Sequence, residues 1–204
     1  MDDSHVIRNV EQLREVIPLP GAAAHRKVSS EMDEHVRSFI ADSPLVFVAT
    51  SDRAFNLDVS PKGDAAGFVR VENASTLVIP ERPGNRLTFG FQNLIENSSI
   101  GLIFLIPGLR ETLRITGTAV ITRDPALLKS FEANGKAALL CTRVTVTECF
   151  FHCAKALIRS QVWMPETWHA TSASDAAIKH WASRFGAPET LIRDKLEEDY
   201  RTNI

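Results

Sequence analysis

The chain has 204 residues, of which 44% are hydrophobic and 24% are charged, and its formal net charge is -2 at pH 7. This is the composition of an ordinary globular protein with a sizeable core, so disordered and fibrous classes are excluded. No excess of Lys and Arg is available to neutralise many phosphates, which excludes nucleic-acid binding as the main function.

We expect no secretory signal and no membrane span. The acidic start, Met1–His5, lacks an apolar segment, and the longest apolar run, Ile100–Ile106, is too short to cross a bilayer. The expectation is a cytoplasmic protein without membrane association, whose three cysteines are reduced thiols. Cys149, His152 and Cys153 cluster, but their spacing matches no zinc pattern, so no metal site is predicted.

Two helices are expected before the first strand. Residues Val10–Val16 have helical spacing and are stopped by the prolines that follow. A second helix is expected to be capped by Ser29 or Ser30 and to end near Asp42. Its apolar stripe, which predicts a contact with the core, consists of Met32, Val36, Phe39 and Ile40.

Four strand-like runs follow. Leu45–Thr50 is continuously apolar, which predicts a strand buried on both faces, and Phe55–Ser60 is expected to return as a second strand. Gly67–Val71 and Thr76–Ile79 are short, rich in apolar and β-branched residues, and separated by a turn-forming segment. They predict an antiparallel hairpin.

Two turns with basic side chains flank this hairpin, Ser60–Asp64 and Arg82–Arg86. Antiparallel pairing would bring Lys62, before the first hairpin strand, and Arg86, after the second, to the same end of the sheet. A guanidinium fork, an ammonium and accessible glycine backbone together suit a phosphate, so the pair predicts an anion site. The alternative is two ordinary polar turns with solvated charges.

A helix is predicted over Gly84–Asn97, which would place Arg86 in its first turn. The partly positive helix N-terminus and the guanidinium would then attract the same anion.

The second half of the chain predicts three more strands and several helices. The strands are expected over Ile100–Ile106, Glu111–Thr122 and Leu139–Phe151. Helices are expected after Asp124, over His152–Ser160, over Asp175–Phe185 and over Pro188–Tyr200. Six or seven strands with few helices between them predict a mainly β, α+β architecture built as an antiparallel barrel. We expect N-terminal helices over 1–43, the barrel over 44–163 and C-terminal helices over 164–204.

Seven segments between Leu45 and Trp163 occur in an order that resembles a known family: FVAT, NLDVSPKGD, GFVRV, LVIPERPGNR, NLIENSSIGLIFLIPG, ETLRITGTAVIT and HCAKALIRSQVW. The order resembles the pyridoxamine 5′-phosphate oxidase-like, FMN-binding split-barrel proteins, and most of all a branch of FMN-dependent enzymes whose substrate is unassigned. Each segment is weak by itself and the joint order is specific. The resemblance implies a six-stranded split barrel with peripheral helices and a homodimer with FMN at the subunit interface.

The resemblance also assigns cofactor contacts. Ile79 and Pro80 match the pair near the ribityl chain, and Asn85 and Arg86 match the phosphate-binding pair, in which only Arg86 is charged here. Five consecutive residues match the segment that runs beside the isoalloxazine ring and ends in a lysine that approaches the flavin: Asp58, Val59, Ser60, Pro61 and Lys62.

Two further contacts are expected from the other subunit. Thr112 stands where the oxidases place a glutamine that reaches the flavin, and Arg159 matches the basic residue that closes the site. His152 is the first candidate for a general acid, with a hydrogen-bonded structural histidine as the alternative.

The function implied is an FMN-dependent oxidoreductase acting on a small organic substrate, with NAD(P)H as a candidate reductant. Vitamin B6 oxidation is not expected, because the Arg-x-His pattern near the chain end is missing and Lys195–Tyr200 is acidic. Two alternatives stay open at this point. One is a non-catalytic carrier or sensor of flavin, haem or another tetrapyrrole, with His152 as a haem ligand, and the other is a structural dimer.

Overall fold

A computed structural model describes residues 3–168 and 172–203 of the chain. The strands are β1 Leu45–Ser51, β2 Leu57–Gly63, β3 Arg70–Asn73, β4 Thr76–Pro80, β5 Ser99–Leu105, β6 Thr112–Thr122 and β7 Cys141–His152. The α-helices are α1 Val10–Val16, α2 Ala22–His25, α3 Glu34–Asp42, α4 Phe89–Glu96, α5 Pro125–Ser130, α6 Lys155–Ser160, α7 Ser172–Phe185 and α8 Glu189–Asn203. The fold is therefore α+β and mainly sheet.

One antiparallel sheet contains all seven of these strands in the order β2-β1-β5-β6-β7-β4-β3. The expectation of six strands was wrong, because the hairpin contributes two strands to the same sheet as the long strands. Within the described residues no ladder joins the edge strands β2 and β3, so backbone hydrogen bonds leave the sheet open. The predicted antiparallel split barrel is therefore seen here as an unclosed sheet of seven strands.

The sheet curls around one core. Fully buried side chains from the middle of the sheet and from both of its halves pack together with α3, and they include Ile40, Val46, Leu77, Phe104, Leu113 and Ile115. Because β1 and β4 are four strand positions apart in the sheet order yet share this core, the two halves must face each other. Burial of this apolar surface is what holds the curl.

β1 and β5 alternate between buried and partly or fully exposed residues, so within this chain β1 is not buried on both faces as predicted. Val46 and Val48 point into the core, whereas Phe47 keeps 37% of its surface exposed. No element of the described chain covers the outer face of these two strands fully. Their apolar outer residues therefore stay partly exposed to solvent within one chain.

The segment around Lys62 is strand, not turn. β2 runs through Pro61 and Lys62 to Gly63, and it pairs with β1 along its whole length. Proline is tolerated there because β2 is an edge strand, whose outward amide positions have no ladder partner. Alternate residues of β2 are half-buried, which turns Asp58, Ser60 and Lys62 toward the interior of the curl.

β2 also begins later than predicted, at Leu57 instead of Phe55. Phe55 has a left-handed backbone, with φ of 65°, inside the turn that follows β1. The Asp52 carboxylate closes this turn by accepting hydrogen bonds from the Asn56 backbone N–H at 2.8 Å and from Asn56 Nδ2 at 2.7 Å. These bonds favour the ionised form and lower the pKa of Asp52.

The cap of α3 differs from the prediction. Asp33 caps the helix by accepting from the Val36 backbone N–H at 2.9 Å. Ser29 instead forms a two-way backbone bridge with Cys149 of β7, which ties the segment before α3 to the sheet. Ser29 therefore belongs to the segment that pairs with β7, and it does not cap α3.

Five of the other helices agree with the sequence, whereas α2 lies in a segment for which no helix was predicted. α1 has the predicted bounds, Asp124 caps α5 through the Leu127 backbone N–H, and α6, α7 and α8 occupy the predicted regions. α7 and α8 pack on each other through a small cluster centred on Ile178, Ala182 and Ile192. None of the described helices is long and apolar enough to cross a bilayer.

Gly117 marks a close backbone contact in the longest strand pair. The ladder between β6 and β7 shifts register between Thr116 and Gly117, and a Cβ built on Gly117 would collide with the Thr145 carbonyl oxygen. Only glycine allows the two backbones to come this close.

Replacing Gly117 with alanine should therefore destabilise the protein, by about 1–3 kcal/mol from overpacking. The measurement is urea unfolding followed by circular dichroism. Gly101→Ala is the matched control, because its Cβ would meet only the Ala49 side chain at 3.7 Å. Equal free energies of unfolding for the two variants would contradict the assignment.

Candidate functional site

A cleft of about 640 Å³ opens where the two halves of the curled sheet approach each other. β2 forms one wall, the end of β4 and residues 81–88 form the other, and α4 covers one side. Nine of the residues predicted for cofactor binding line it: Asp58, Val59, Ser60, Pro61, Lys62, Ile79, Pro80, Asn85 and Arg86. Lys62 and Arg86 thus line one cleft, as the sequence predicted, but the predicted cause was wrong: Lys62 comes from β2, at the opposite edge of the sheet from the β3–β4 hairpin, and the curl of the sheet brings the two residues together.

Two ion pairs join the walls, and we call them the clasp. Lys62 Nζ donates to both Glu81 carboxylate oxygens, at 2.8 and 2.7 Å. Arg82 Nε donates to Asp64 Oδ2 at 2.8 Å, and Arg82 Nη1 donates to the Phe131 carbonyl at 2.8 Å. Because Lys62 and Asp64 belong to β2 and its continuation, the clasp links the edge of the sheet to the segment after β4.

Lys62 is not a free cation. Its side chain is 23% exposed and that of Glu81 is 19% exposed, so both charges lie partly out of water against each other. Lys62 Nζ also lies 4.9 Å from the centroid of the Phe91 ring. The ammonium is thereby held at the wall of the cleft with its charge offset by a carboxylate.

Arg86 is the cation that the clasp leaves available. It is exposed, and it forms no ion pair with any of the described residues. Asn85 Oδ1 accepts from the Leu87 backbone N–H at 3.0 Å, which fixes the turn that presents Arg86. Nothing lies within 4 Å of the position where a Cβ of Gly84 would be, so the backbone there is open to a ligand.

The prediction that Arg86 lies in the first turn of α4 was wrong. Arg86 and Thr88 have left-handed backbones, with φ of 62° and 56°, and the helix begins only at Phe89. Two left-handed residues interrupt any helix, because regular helices need right-handed dihedrals throughout.

The first turn of α4 faces a carboxylate instead. A Cβ on Gly90 would lie 3.0 Å from Asp58 Oδ2 and 3.5 Å from Thr50 Oγ1, so a side chain at this position would crowd the Asp58 carboxylate. Below them, Asn93 Nδ2 donates to Thr50 Oγ1 at 3.1 Å in a buried contact. The floor of the cleft is therefore polar and carries the negative charge of Asp58.

Three predicted residues do not line this cleft. Thr112 and His152 lie opposite each other across the β6–β7 ladder, and Arg159 lies on α6. The ring of His152 lies 4.9 Å from that of Phe150. Because the resemblance assigns Thr112 and Arg159 to the other subunit's cofactor, their roles stay predictions, as does that of His152.

Sequence reasoning missed Glu81, the Arg82 contact and Phe91 as parts of the site. Asp64 does accept from the Ala65 backbone N–H at 2.8 Å, as a turn-closing residue would, but it also binds Arg82. The order of charges in the sequence could have indicated these pairs: Lys62 and Asp64, at the end of β2 and just after it, meet the adjacent Glu81 and Arg82 after β4.

The cysteines lie outside the cleft. Burial raises the pKa of the Cys141 and Cys149 thiols, while Cys153 is exposed. In the part of the chain that is described, no group of three His, Cys, Asp or Glu side chains is placed to hold a metal ion.

Comparison with known proteins identifies the family. The sequence model described as pyridoxamine 5′-phosphate oxidase matches residues 32–153, which is more than half of the chain, and the chain therefore belongs to this family. The match includes every strand of the sheet and the whole cleft. A search of the curated proteins finds no match.

The solved structures to which this chain is similar include three proteins with different names. HupZ from Group A Streptococcus has a TM-score of 0.48 and 20% identity, covering 58% of this chain and 92% of its own. An FMN-binding protein from Syntrophomonas wolfei has a TM-score of 0.44 and 11% identity, covering 56% and 82%. General Stress Protein 26 from Bacillus anthracis has a TM-score of 0.44 and 11% identity, covering 56% and 88%.

The clasp should stabilise the fold. We expect Arg82→Ala and Asp64→Ala each to lower the free energy of unfolding, and the double variant to show a coupling energy of about 1 kcal/mol for this partly buried pair. Urea unfolding of the four proteins measures it. The more exposed Arg143–Glu72 pair is the control and should couple less strongly. Additive effects at residues 64 and 82 would contradict the role of the clasp.

Proposed function

We propose that this protein binds FMN in the cleft between β2 and residues 79–88, and that it is an FMN-dependent oxidoreductase acting on a small organic substrate. The observation that carries the proposal is the convergence of Arg86 and the β2 segment on one cleft, in a member of the pyridoxamine 5′-phosphate oxidase family. Members of this family commonly bind FMN.

The residues of the cleft fit the two parts of FMN. The volume is within the range of about 300–1,000 Å³ typical of small-molecule sites. Apolar side chains suited to a flat ring system line it, namely Phe68, Ile79, Phe91 and Leu94. The exposed guanidinium of Arg86, beside the open backbone of Gly84, suits a phosphate, since Arg pairs with phosphate oxygens in bidentate fashion.

When bound, FMN would supply hydride or electron transfer through its N5 atom, and the protein would supply position and electrostatics. Arg86 would hold the phosphate, Ser60 would offer a hydroxyl, and the apolar walls would exclude water. Among the described residues, the lining of the cleft contains no His and no Cys, so it offers neither an imidazole nor a thiol. If His152 acts as a general acid, it acts from a second subunit.

We also propose a homodimer. The outer face of β1, β2 and β5 carries a row of paired apolar residues, Pro61, Phe47 and Ile103, which the ladder places side by side. Phe47 and Ile103 are 37% and 41% exposed, and Val59 in the next row is 64% exposed. A second copy that covers this face would bury it, and it would also supply Thr112 and Arg159.

Arg86→Ala should weaken FMN binding strongly. A charge-assisted phosphate contact is worth about 1.5–3 kcal/mol, so the dissociation constant should rise about tenfold to a hundredfold. Quenching of flavin fluorescence measures the change. Riboflavin, which lacks the phosphate, should bind both proteins alike, and Arg143→Ala, outside the cleft, is the control. Unchanged FMN affinity would contradict the assigned phosphate contact.

The visible spectrum tests the cofactor and its chemistry. The FMN-loaded protein should show two flavin bands, in the blue and near ultraviolet, which bleach when NADH or NADPH is added without oxygen. A single intense haem band after purification would contradict FMN. Flavin bands that neither nucleotide nor a small organic donor bleaches would contradict the oxidoreductase and favour a carrier.

Phe47→Glu should separate the subunits. A carboxylate in the middle of the apolar row would be buried in a dimer without a partner, so light scattering after gel filtration should report a monomer. Val120→Glu, at a more exposed position on β6 outside this row, should leave the assembly unchanged. A wild-type monomer, or a dimer in both variants, would contradict this interface.

A further inference from the structure

We infer that Glu81 sets how strongly the cleft binds anions, by holding Lys62 and cancelling its charge. The inference rests on the proposed function, since FMN is the anionic ligand in question. Glu81 lowers the affinity of the cleft for the phosphate of FMN, and it also holds the Lys62 side chain in place.

The geometry fixes Glu81 firmly. Its backbone N–H donates to the Leu140 carbonyl at 2.9 Å, and its carbonyl accepts from the Leu139 backbone N–H at 3.0 Å. The side chain is therefore presented from a pinned backbone, and both carboxylate oxygens lie within 2.8 Å of Lys62 Nζ. Phe91 covers the ammonium from the α4 side. Lys62 can turn toward a ligand only by giving up these contacts.

The charges of the cleft follow from this pairing. Its lining contains three cations, Lys62, Arg82 and Arg86, and two carboxylates, Asp58 and Glu81. Lys62 is offset by Glu81 and Arg82 is offset by Asp64, so among the described residues of the lining Arg86 is the cation without an opposing carboxylate, and Asp58 is the carboxylate without an opposing cation. Because both members of the Lys62–Glu81 pair are mostly buried, solvent screens their field less than it screens a surface pair.

Removing one charge of the pair should therefore act in opposite directions. Glu81→Gln keeps the shape of the side chain and a hydrogen bond acceptor for Lys62, but it leaves the ammonium uncompensated. Lys62→Met leaves the carboxylate uncompensated beside the phosphate site. The double variant removes a neutral pair and should behave like the wild type. If Lys62 simply contacted the ligand, the two single variants would not change FMN affinity in opposite directions, and the double variant would not return to the affinity of the wild type.

The experiment is a titration of FMN into the wild type, Glu81→Gln, Lys62→Met and the double variant. For a charge effect of roughly 1 kcal/mol, Glu81→Gln should bind FMN about fivefold more tightly and Lys62→Met about fivefold more weakly. The double variant should fall within about twofold of the wild type by the same reasoning. Affinity of Glu81→Gln should also fall more steeply with salt, because one more uncompensated cation faces the ligand.

Two controls separate charge from fold and from ring contacts. Glu72→Gln breaks the comparable ion pair with Arg143 outside the cleft and should leave FMN affinity unchanged. Riboflavin should bind Glu81→Gln and wild type alike, because the gain comes from the phosphate. Thermal unfolding of each variant without ligand verifies that all of them are folded, and it reads the strength of the pair independently of binding.

The outcomes are distinct. Tighter FMN binding by Glu81→Gln that Lys62→Met cancels supports the inference. Unchanged or weaker binding by Glu81→Gln overturns it, as does an equal gain with riboflavin, or a double variant as weak as Lys62→Met. Failure of the wild type to bind FMN at all overturns the proposed function, and the role of Glu81 falls with it.

Discussion

The clasp between the two halves of the curled sheet is the contact on which the site depends. Apolar burial bends the sheet until β2 and the segment after β4 approach each other, but that force has no direction. The Lys62–Glu81 and Arg82–Asp64 pairs fix where the two edges meet. In this register each basic side chain meets a carboxylate. If the two edges shifted so that the partners were exchanged, Lys62 would face Arg82 and Asp64 would face Glu81, and like charges would repel each other.

The same two ion pairs reduce the positive charge that the cleft can offer to a ligand. Basic residues that face a cleft are available to an anion only if nothing in the protein neutralises them, and here two of the three are neutralised. The cleft thus combines a rigid frame made of ion pairs with a single exposed anchor, Arg86. The Lys62 ammonium can either join the two walls through Glu81 or contact an anionic ligand. In this structure it is paired with Glu81.

The outer surface of the sheet shows a second constraint. β1 and β5 are apolar along both faces in sequence, yet the chain itself fills only the inner face. Sequences with this pattern usually belong to strands covered on both sides. In the proposed homodimer, a second copy would cover this apolar outer face and would add residues to the site.

The sequence by itself determined the kind of fold, most of its elements and most of the cleft. Local patterns were sufficient for the number and order of the strands, for α1 and for the Asp124 cap, because short-range sterics and capping bonds decide them, but they were not sufficient for the bounds of β2 and β3. The order of segments was sufficient to place Lys62 and Arg86 on one cleft. Only the tertiary structure decided the rest: that Lys62 lies in a strand, that Arg86 precedes the helix, and that Glu81 faces Lys62. Those features depend on which edges of a curled sheet meet, and contacts between residues far apart in the chain leave no periodic signal in the sequence.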